Sequence, residues 1–285
     1  MNFAIIGVSG FIAPKHLRAI KELGHQLVVA FDLSDSAGVL DSFFPNSEFF
    51  IDTQDFKNHI LSLKGTSHEI DYVSICSPNH YHKEHIELAI ECGANVICEK
   101  PLVLNPKDLD YLINLEIESG KKIYTILQLR LHPEVVKLKK YIRSEEFHDV
   151  MMNIYSPRGK WYHKSWKGDG KKSGGIVTNI GIHYFDLLMY LFGEVFESSI
   201  TSSSTSVING ELVFKTAKVK WELDISCSKS FKPIRFFKVN GLHLNLNDQI
   251  NLHSLSYAQI LNQHGFEIET VSPAINLTHN INLQL

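Results

Sequence analysis

The sequence predicts a two-part α/β fold: a doubly wound parallel sheet of the dinucleotide-binding kind, then an α+β unit with a largely antiparallel sheet. Three observations lead there. Short apolar strands alternate with helical stretches over the first 120 or so residues. A glycine-bearing turn joins the first strand to the first helix, and an acid closes the second strand. After about residue 127, strands follow one another with few helices between them.

The elements are expected in this order. Phe3–Ile6 is a short apolar strand, and Pro14–Leu23 a helix with proline in its first turn. Gln26–Phe31 is a valine-rich strand, and Asp55–Leu63 a helix with apolar residues at Phe56, Ile60 and Leu63. The strand Tyr72–Cys76 and helix His82–Cys92 follow, then the strand Asn95–Cys98. The helix Pro106–Ser119 places Leu109, Leu112, Ile113 and Ile117 on one face, and Lys122–Leu127 is the next strand. In the second part, Pro133–Arg143 and His183–Phe192 are helices, the latter stopping at Gly193. Val150–Tyr155, Val213–Ile225 and Phe236–Leu246 are strands, the last broken near Asn240-Gly241. Ser202–Ser206 is a surface turn. Ser256–His264 is a helix ending at Gly265, and the apolar tail is free to pack back on the first part.

With 285 residues and 44% hydrophobic content, the chain is long enough for two modest cores. The expected division is residues 1–122 and 123–285. A net charge of −3 carries no basic excess that would point to nucleic acid or an anionic membrane. Cys76, Cys92, Cys98 and Cys227 form no CxxC pair and are expected as reduced, buried side chains. The first residues enter a strand directly, and no apolar run reaches the roughly 18 residues of a membrane helix, so the cytoplasm is expected.

The first strand runs into Gly7-Val8-Ser9-Gly10-Phe11-Ile12-Ala13, a G-x-x-G-x-x-A loop one residue longer than the usual spacing. Gly7 permits the tight turn, Gly10 lets backbone approach a pyrophosphate, and Ala13 lets helix and strand pack closely. Phe11 and Ile12 join the cofactor-contacting set, at the helix N-terminus where free N–H groups suit phosphate. Asp32 ends the second strand, where a carboxylate suits the ribose hydroxyls of NAD and repels the 2′-phosphate of NADP. Asn79 and His80 follow the third strand at the carboxyl edge of the sheet and are expected on the nicotinamide side, although Pro78-Asn79 also suits a helix start; Ser77, His82, Glu99 and Lys100 complete the expected cofactor-binding set.

Ser77-Pro78-Asn79-His80-Tyr81-His82, Ala94-Asn95-Val96-Ile97-Cys98-Glu99-Lys100-Pro101-Leu102 and Gly174-Gly175-Ile176-Val177-Thr178-Asn179-Ile180-Gly181-Ile182-His183-Tyr184-Phe185-Asp186 resemble the motifs of the Gfo/Idh/MocA oxidoreductase family. The resemblance spans essentially the whole chain. Asn179 stands where most members carry Asp, and the chain is short for the family. Gly10–Leu17, Asp41–Pro45, Arg158–Tyr162 and Ser165–Gly168 resemble the branch that oxidises the 3-hydroxyl of UDP-N-acetylglucosaminuronic acid in bacterial surface-polysaccharide synthesis. That branch shares the longer loop and the Asn. The resemblance implies an NAD-dependent sugar-nucleotide dehydrogenase, often tetrameric. NADH would be released or reoxidised in place by 2-oxoglutarate, a point the residues leave open.

Oxidising a secondary alcohol needs a base for the hydroxyl proton. Lys100, beside Glu99 at the edge where the nicotinamide binds, is the first candidate, because desolvation and a cationic ring lower a lysine pKa. His183 is the second, four residues after Asn179 and so on one helix face with it, with Asp186 placed to orient the imidazole. The residues alone do not rank Lys100 and His183. Arg130, Arg158, Lys160 and Trp166 are expected to meet the substrate, the cations at its pyrophosphate and carboxylate, the indole against uracil or sugar. No histidine pair has metal-ligand context, so no metal is expected. A dehydrogenase of a free sugar or inositol, or a non-catalytic NAD-binding sensor, are the alternatives.

Overall fold

The computed structural model describes residues 1–142, 146–228, 232–247 and 251–285. The chain divides into two compact units, Met1–Leu127 with His253–Val271, and Gln128–Leu252 with Ser272–Leu285. The boundary falls at Leu127, slightly beyond the expected residue 122, and the C-terminal segment is shared between the units.

The first unit opens with β1 (Asn2–Ile6), α1 (Ala13–Glu22), β2 (Gln26–Phe31), α2 (Val39–Phe43), β3 (Glu48–Phe50) and α3 (Thr53–Ser62). It continues with β4 (Tyr72–Ile75), α4 (His82–Glu91), β5 (Asn95–Cys98), α5 (Lys107–Ser119) and β6 (Ile123–Thr125). The strands pair in parallel in the order β3-β2-β1-β4-β5-β6. Four of the five β1 residues and all of β4 are buried, because helices cover both faces of such a sheet; this is why these strands read as unbroken apolar runs. The order reverses between β1 and β4, and ligands bind outside the carboxyl ends at such a switch.

Local signals explain most boundaries. Asp52 caps α3, its side chain accepting from the backbone of Gln54 and Asp55. Gly120, at φ 67°, ends α5 in the left-handed conformation. The expected face of α5 needs correction: Leu109 and Leu112 are buried, but Ile117 is 74% exposed. Glu116 takes the last inward position and accepts from the backbone N–H of Ile123 at 2.5 Å. The short α2 and β3 carry no strong periodicity and give no signal in the sequence.

The second unit contains α6 (Pro133–Tyr141), β7 (His148–Tyr155), α7 (Gly170–Ser173), α8 (Ile182–Phe192), β8 (Val195–Ser203), β9 (Val207–Phe214), β10 (Ala217–Asp224), β11 (Ile234–Val239) and β12 (Leu242–Asn245). Arg143, the expected end of α6, lies outside the described residues. The sheet order is β12-β11-β7-β10-β9-β8, antiparallel except for the parallel pair β7–β10. Alternate residues of β9 and β10 are buried, so one face packs on the core with Phe185, Leu187 and Leu188 of α8. Two strand expectations are corrected. Val213–Ile225 is not one strand but the end of β9 and all of β10, turned at Lys215-Thr216, a pair without glycine or asparagine to mark it. Ser202 and Ser203 complete β8, leaving Ser204–Ser206 for the turn. The break at Asn240-Gly241 is a tight hairpin with φ 47° and 88°, the pair of positive values such a turn requires.

Gly170–Phe192 has the length and apolarity of a membrane span, but 67% of its most apolar window is buried in the second unit. Its apolar side chains are core. Cys76, Cys92 and Cys98 are buried free thiols, whereas Cys227 is exposed past β10, correcting the expectation of a buried strand position. The last helices are α9 (Leu252–Leu261), which starts ahead of the expected Ser256, and α10 (Ile268–Asn282). From His253 to Val271 the chain belongs to the first unit, and Phe266 bridges to Thr125 at the end of β6.

Candidate active site

The loop between β1 and α1 has the shape a dinucleotide needs. Gly7 has φ +85°, and a Cβ there would stand 2.7 Å from Cys76 C and Ser77 N, so no other residue fits without moving the backbone. A Cβ on Gly10 would lie 3.0 Å from Gly7 O. Ala13 is fully buried against the sheet. Helix α1 has no side-chain cap and no acid in its first turn, so no carboxylate of its own competes with an anion at the positive end of its dipole. Ile12 is its N-cap residue, and Phe11 is 86% exposed at the loop tip. Asp32 accepts from Ser9 N at 2.9 Å through one oxygen and from Ser34 N at 2.9 Å through the other. The acid therefore ties the glycine loop to the end of β2. The glycine cradle and the placed acid fit NAD.

The next motif is built by burial. Asn79 is buried in a 3-10 turn at Asn79–Tyr81. The Ser77 hydroxyl lies 2.8 Å from His85 Nδ1. Burial, with His82 and His80 beside it, pushes the His85 imidazole down to about 4. His82, expected to touch the cofactor, is instead fully buried. Its Nδ1 lies 2.7 Å from Pro101 O and its Nε2 3.0 Å from Ser77 O. The ring is a strut between the Ser77 and Pro101 carbonyls, and the preceding Lys100-Pro101 peptide is cis.

Glu99, also expected at the cofactor, is only 7% exposed and directs its carboxylate inward. One oxygen receives His16 Nε2 at 3.0 Å and His253 Nε2 at 3.2 Å; the other accepts from Lys100 N at 3.2 Å. Burial opposes its charge, but the two imidazoles hold the carboxyl well below the usual carboxylate range. Burial lowers His253, with Glu99 acting against it. The ligand atoms of His16, Glu99 and His253 lie within 4.8 Å of one another, a metal-like grouping that hydrogen bonding accounts for. Sequence reasoning misses His16 and His253 here, since their roles depend on a partner 83 and 154 residues away. Lys100 itself is half-buried at the end of β5.

In the second unit, Asn179 sits in a π-helical turn at Val177–Gly181, and His183 follows in the first turn of α8. The four-residue spacing thus spans a change of helix type and does not set one regular face. Both residues are half-buried. The turn is pinned from the C-terminal helix by Asn282, whose amide donates to Gly174 O at 3.0 Å and Thr178 Oγ1 at 2.9 Å. Asp186 does not orient His183. It is 1% exposed and accepts from Arg130 through both oxygens, with Nε to Oδ2 at 2.8 Å. Burial raises the Asp186 carboxyl, and Arg130 acts against that. The anion that Arg130 requires is therefore internal, which corrects its expected place at the substrate.

Arg158, expected at the substrate, lies beside Tyr162. Its guanidinium lies 5.9 Å from the Tyr162 ring centroid, and its buried Nε has no hydrogen-bond partner among the described residues. Burial lowers its pKa; the Tyr162 side raises it and nearby Arg235 lowers it. Burial raises the Tyr162 phenol, with Asn179 beside it acting the other way. Arg158, Tyr162 and Asn179 therefore form one group, joined by Arg235, whose Nε donates to Tyr184 Oη at 3.2 Å. Arg235, in an otherwise ordinary strand, gives no sequence signal. Lys160 and Trp161 are exposed, and Trp166 is half-buried with Lys167 Nζ 5.6 Å from its ring centroid.

Residues 1–126 match the NAD-binding Rossmann-fold model of an oxidoreductase family, and residues 139–220 match the C-terminal alpha/beta domain of the same family. The chain is similar to the WlbA (WbpB) dehydrogenase from Thermus thermophilus. The structure of that protein with NAD and UDP-GlcNAcA has a TM-score of 0.94 and 38% identity, covering 100% of this chain and 95% of that one. Its structure with NAD and alpha-ketoglutarate has a TM-score of 0.94 and 39% identity, covering 99% and 94%. The D-glucoside 3-dehydrogenase of Escherichia coli (strain K12) is 28% identical over 141 residues. That match covers 47% of this chain and 39% of the relative, so the chain spans less than half of it. The glycine cradle, the Glu99-Lys100-Pro101 turn, both family domains and the full-length likeness agree: the chain belongs to the Gfo/Idh/MocA family of oxidoreductases and is an NAD-binding protein.

Proposed function

We propose that this protein oxidises the 3-hydroxyl of UDP-N-acetylglucosaminuronic acid to the 3-keto sugar. The observation that carries the reading is the 38% identical, full-length likeness to a dehydrogenase crystallised with NAD and UDP-GlcNAcA. The Nε of Arg158, buried and without a partner among the described residues, supports it, because a donor so placed suits an anionic group that arrives with the substrate.

NAD, when bound, supplies the hydride acceptor. The sugar loses a hydride from its carbinol carbon and a proton from its hydroxyl, so two hydrogens leave and the C–O bond becomes a carbonyl. Gly7 and Gly10 let the backbone approach the pyrophosphate, and Asp32 takes the ribose hydroxyls, with Phe11 and Ile12 at the loop tip. Lys100 is the hydrogen-bonding acid/base at the reacting hydroxyl, and His183 the proton acceptor or relay, with Asn179 ordering its side. Arg158 binds an anionic group of the substrate, with Lys160 and Trp166 at the rim.

The second Thermus thermophilus structure, with NAD and alpha-ketoglutarate, supports reoxidation of NADH by a 2-oxo acid. The reading also carries a role in surface-polysaccharide synthesis, a cytoplasmic location where NAD and UDP-sugars are both present, and a homotetramer. The test is kcat/KM for UDP-N-acetylglucosaminuronic acid and for UDP-N-acetylglucosamine, which lacks the carboxylate, in the wild type and Arg158→Met. The wild type is expected to favour the acid, and Arg158→Met to raise KM about tenfold or more, equivalent to roughly 1.4 kcal/mol. A rise for the acid alone assigns Arg158 to the carboxylate, and a rise for both to the pyrophosphate. Turnover of inositol or a free sugar, with none of either nucleotide sugar, contradicts the reading.

A further inference from the structure

Lys100 follows a carboxylate that is held from three sides. His16 comes from α1, while His253 and Tyr257 come from α9, at the far end of the sequence. His16 and His253 both approach Glu99 Oε1, and the Lys100 backbone N–H approaches Oε2. His16 Nδ1 lies 2.7 Å from Tyr257 Oη, which lies 2.6 Å from Ser74 Oγ of β4. Every one of these side chains except Lys100 is buried.

The donors can be assigned in one direction. Ser74 donates to Tyr257, Tyr257 to His16 Nδ1, and His16 Nε2–H to Glu99; His253 Nε2–H is the second donor to that oxygen. This fixes the His16 tautomer and satisfies each hydroxyl and ring atom named, with every donor in the chain directed toward the Glu99 carboxylate. A buried carboxylate with these donors has little freedom to rotate, and its remaining oxygen holds the Lys100 backbone. The arrangement is more than a core filler, because it terminates on the residue bonded to Lys100 and on Lys100 itself.

We propose that His16, His253 and Tyr257 are positioning residues that set Lys100 through Glu99. The proposal rests on the acid/base role given to Lys100. Its effect is on geometry and local charge at that residue, with no contact to substrate required.

The test compares His253→Leu, which removes the donor, with His253→Gln, whose amide can supply an N–H to Glu99, and with Tyr257→Phe, which removes one hydroxyl and keeps the ring. NAD affinity, read by fluorescence titration, reports that the first unit is folded. Relative to wild type, His253→Leu is expected to lower kcat about tenfold or more, with KM for UDP-N-acetylglucosaminuronic acid within about threefold. His253→Gln is expected to recover most of that loss. A second readout needs no substrate: the acetylation rate of Lys100 against exposed Lys107, mapped by mass spectrometry. That ratio is expected to change about threefold or more in His253→Leu and to return in His253→Gln. If His253→Leu does not fold, Tyr257→Phe carries the test with the same readouts and smaller changes. Folded, NAD-binding variants with unaltered kcat and an unaltered Lys100 ratio overturn the proposal. A wild type inert toward the nucleotide sugar overturns the substrate reading instead, and the labelling ratio still decides the positioning role.

Discussion

Gly7 faces Ser77 so closely that a Cβ on Gly7 would stand 2.7 Å from the Ser77 backbone nitrogen. The nucleotide loop and the end of β4 therefore meet backbone to backbone. Gly7→Ala has to relieve both that contact and a φ of +85°, the latter alone costing on the order of 1–3 kcal/mol. It is expected to lower Tm by several degrees and NAD affinity by about tenfold or more, measured by thermal unfolding and fluorescence titration. Unchanged values for both would mean that the loop is not the cofactor cradle.

Asp32 accepts two backbone N–H groups and stands at the ribose end of the cradle. Asp32→Asn keeps the size, removes the charge and leaves one amide N–H facing a donor. NAD affinity is expected to fall by about tenfold, and the discrimination against NADP to shrink by about as much. Parallel titrations with both cofactors check it, and an unaltered ratio removes Asp32 from the ribose site.

Arg130 and Asp186 form a buried bidentate pair. Removing one partner leaves a buried charge without its counterion, so Asp186→Ala is expected to destabilise the second unit by about 3–5 kcal/mol. Arg130→Met should cost a comparable amount. The measurement is urea unfolding, followed by KM for the nucleotide sugar on whatever remains folded. A stable Arg130→Met with a much higher KM would return Arg130 to the substrate.

The His85 imidazole lies at about 4 in the fold against 6.5 when unfolded, chiefly through burial. Between those values the unfolded chain binds more protons than the native one. Stability is therefore complete above about pH 6.5 and falls as pH drops toward 4, by up to roughly 3 kcal/mol from this one group. His85→Asn does not titrate there. The difference between wild-type and His85→Asn unfolding free energies is expected to change across that window and to stay flat above it.

The parts legible in the sequence are those with local causes. Gly7, Gly10 and Asp32 act through backbone conformation and a strand end within one βαβ unit, and the Asn240-Gly241 hairpin declares itself by its dipeptide. The residues misjudged have distant partners. His82 and Glu99 stand in a motif and look like cofactor contacts, but His82 braces Pro101 O, and Glu99 meets a histidine 154 residues away. Asp186 lies one helical turn from His183 yet pairs with Arg130, 56 residues earlier. Periodicity also fails at a helix end: Ile117 continues the apolar spacing of α5, but the stripe has already turned outward and Glu116 faces in. Arg235 is invisible to such reasoning because a single arginine in an alternating strand has the pattern of a solvated position.

The most direct measurement is the mass of the sugar product after purified protein is mixed with NAD and UDP-N-acetylglucosaminuronic acid, with and without 2-oxoglutarate, in the wild type and in Lys100→Met. The account expects a product lighter by two hydrogens from the wild type, formed in larger amount when 2-oxoglutarate is present. Lys100→Met should bind NAD normally and form none. An unaltered sugar from a wild-type protein that binds NAD, or full product from Lys100→Met, would contradict it.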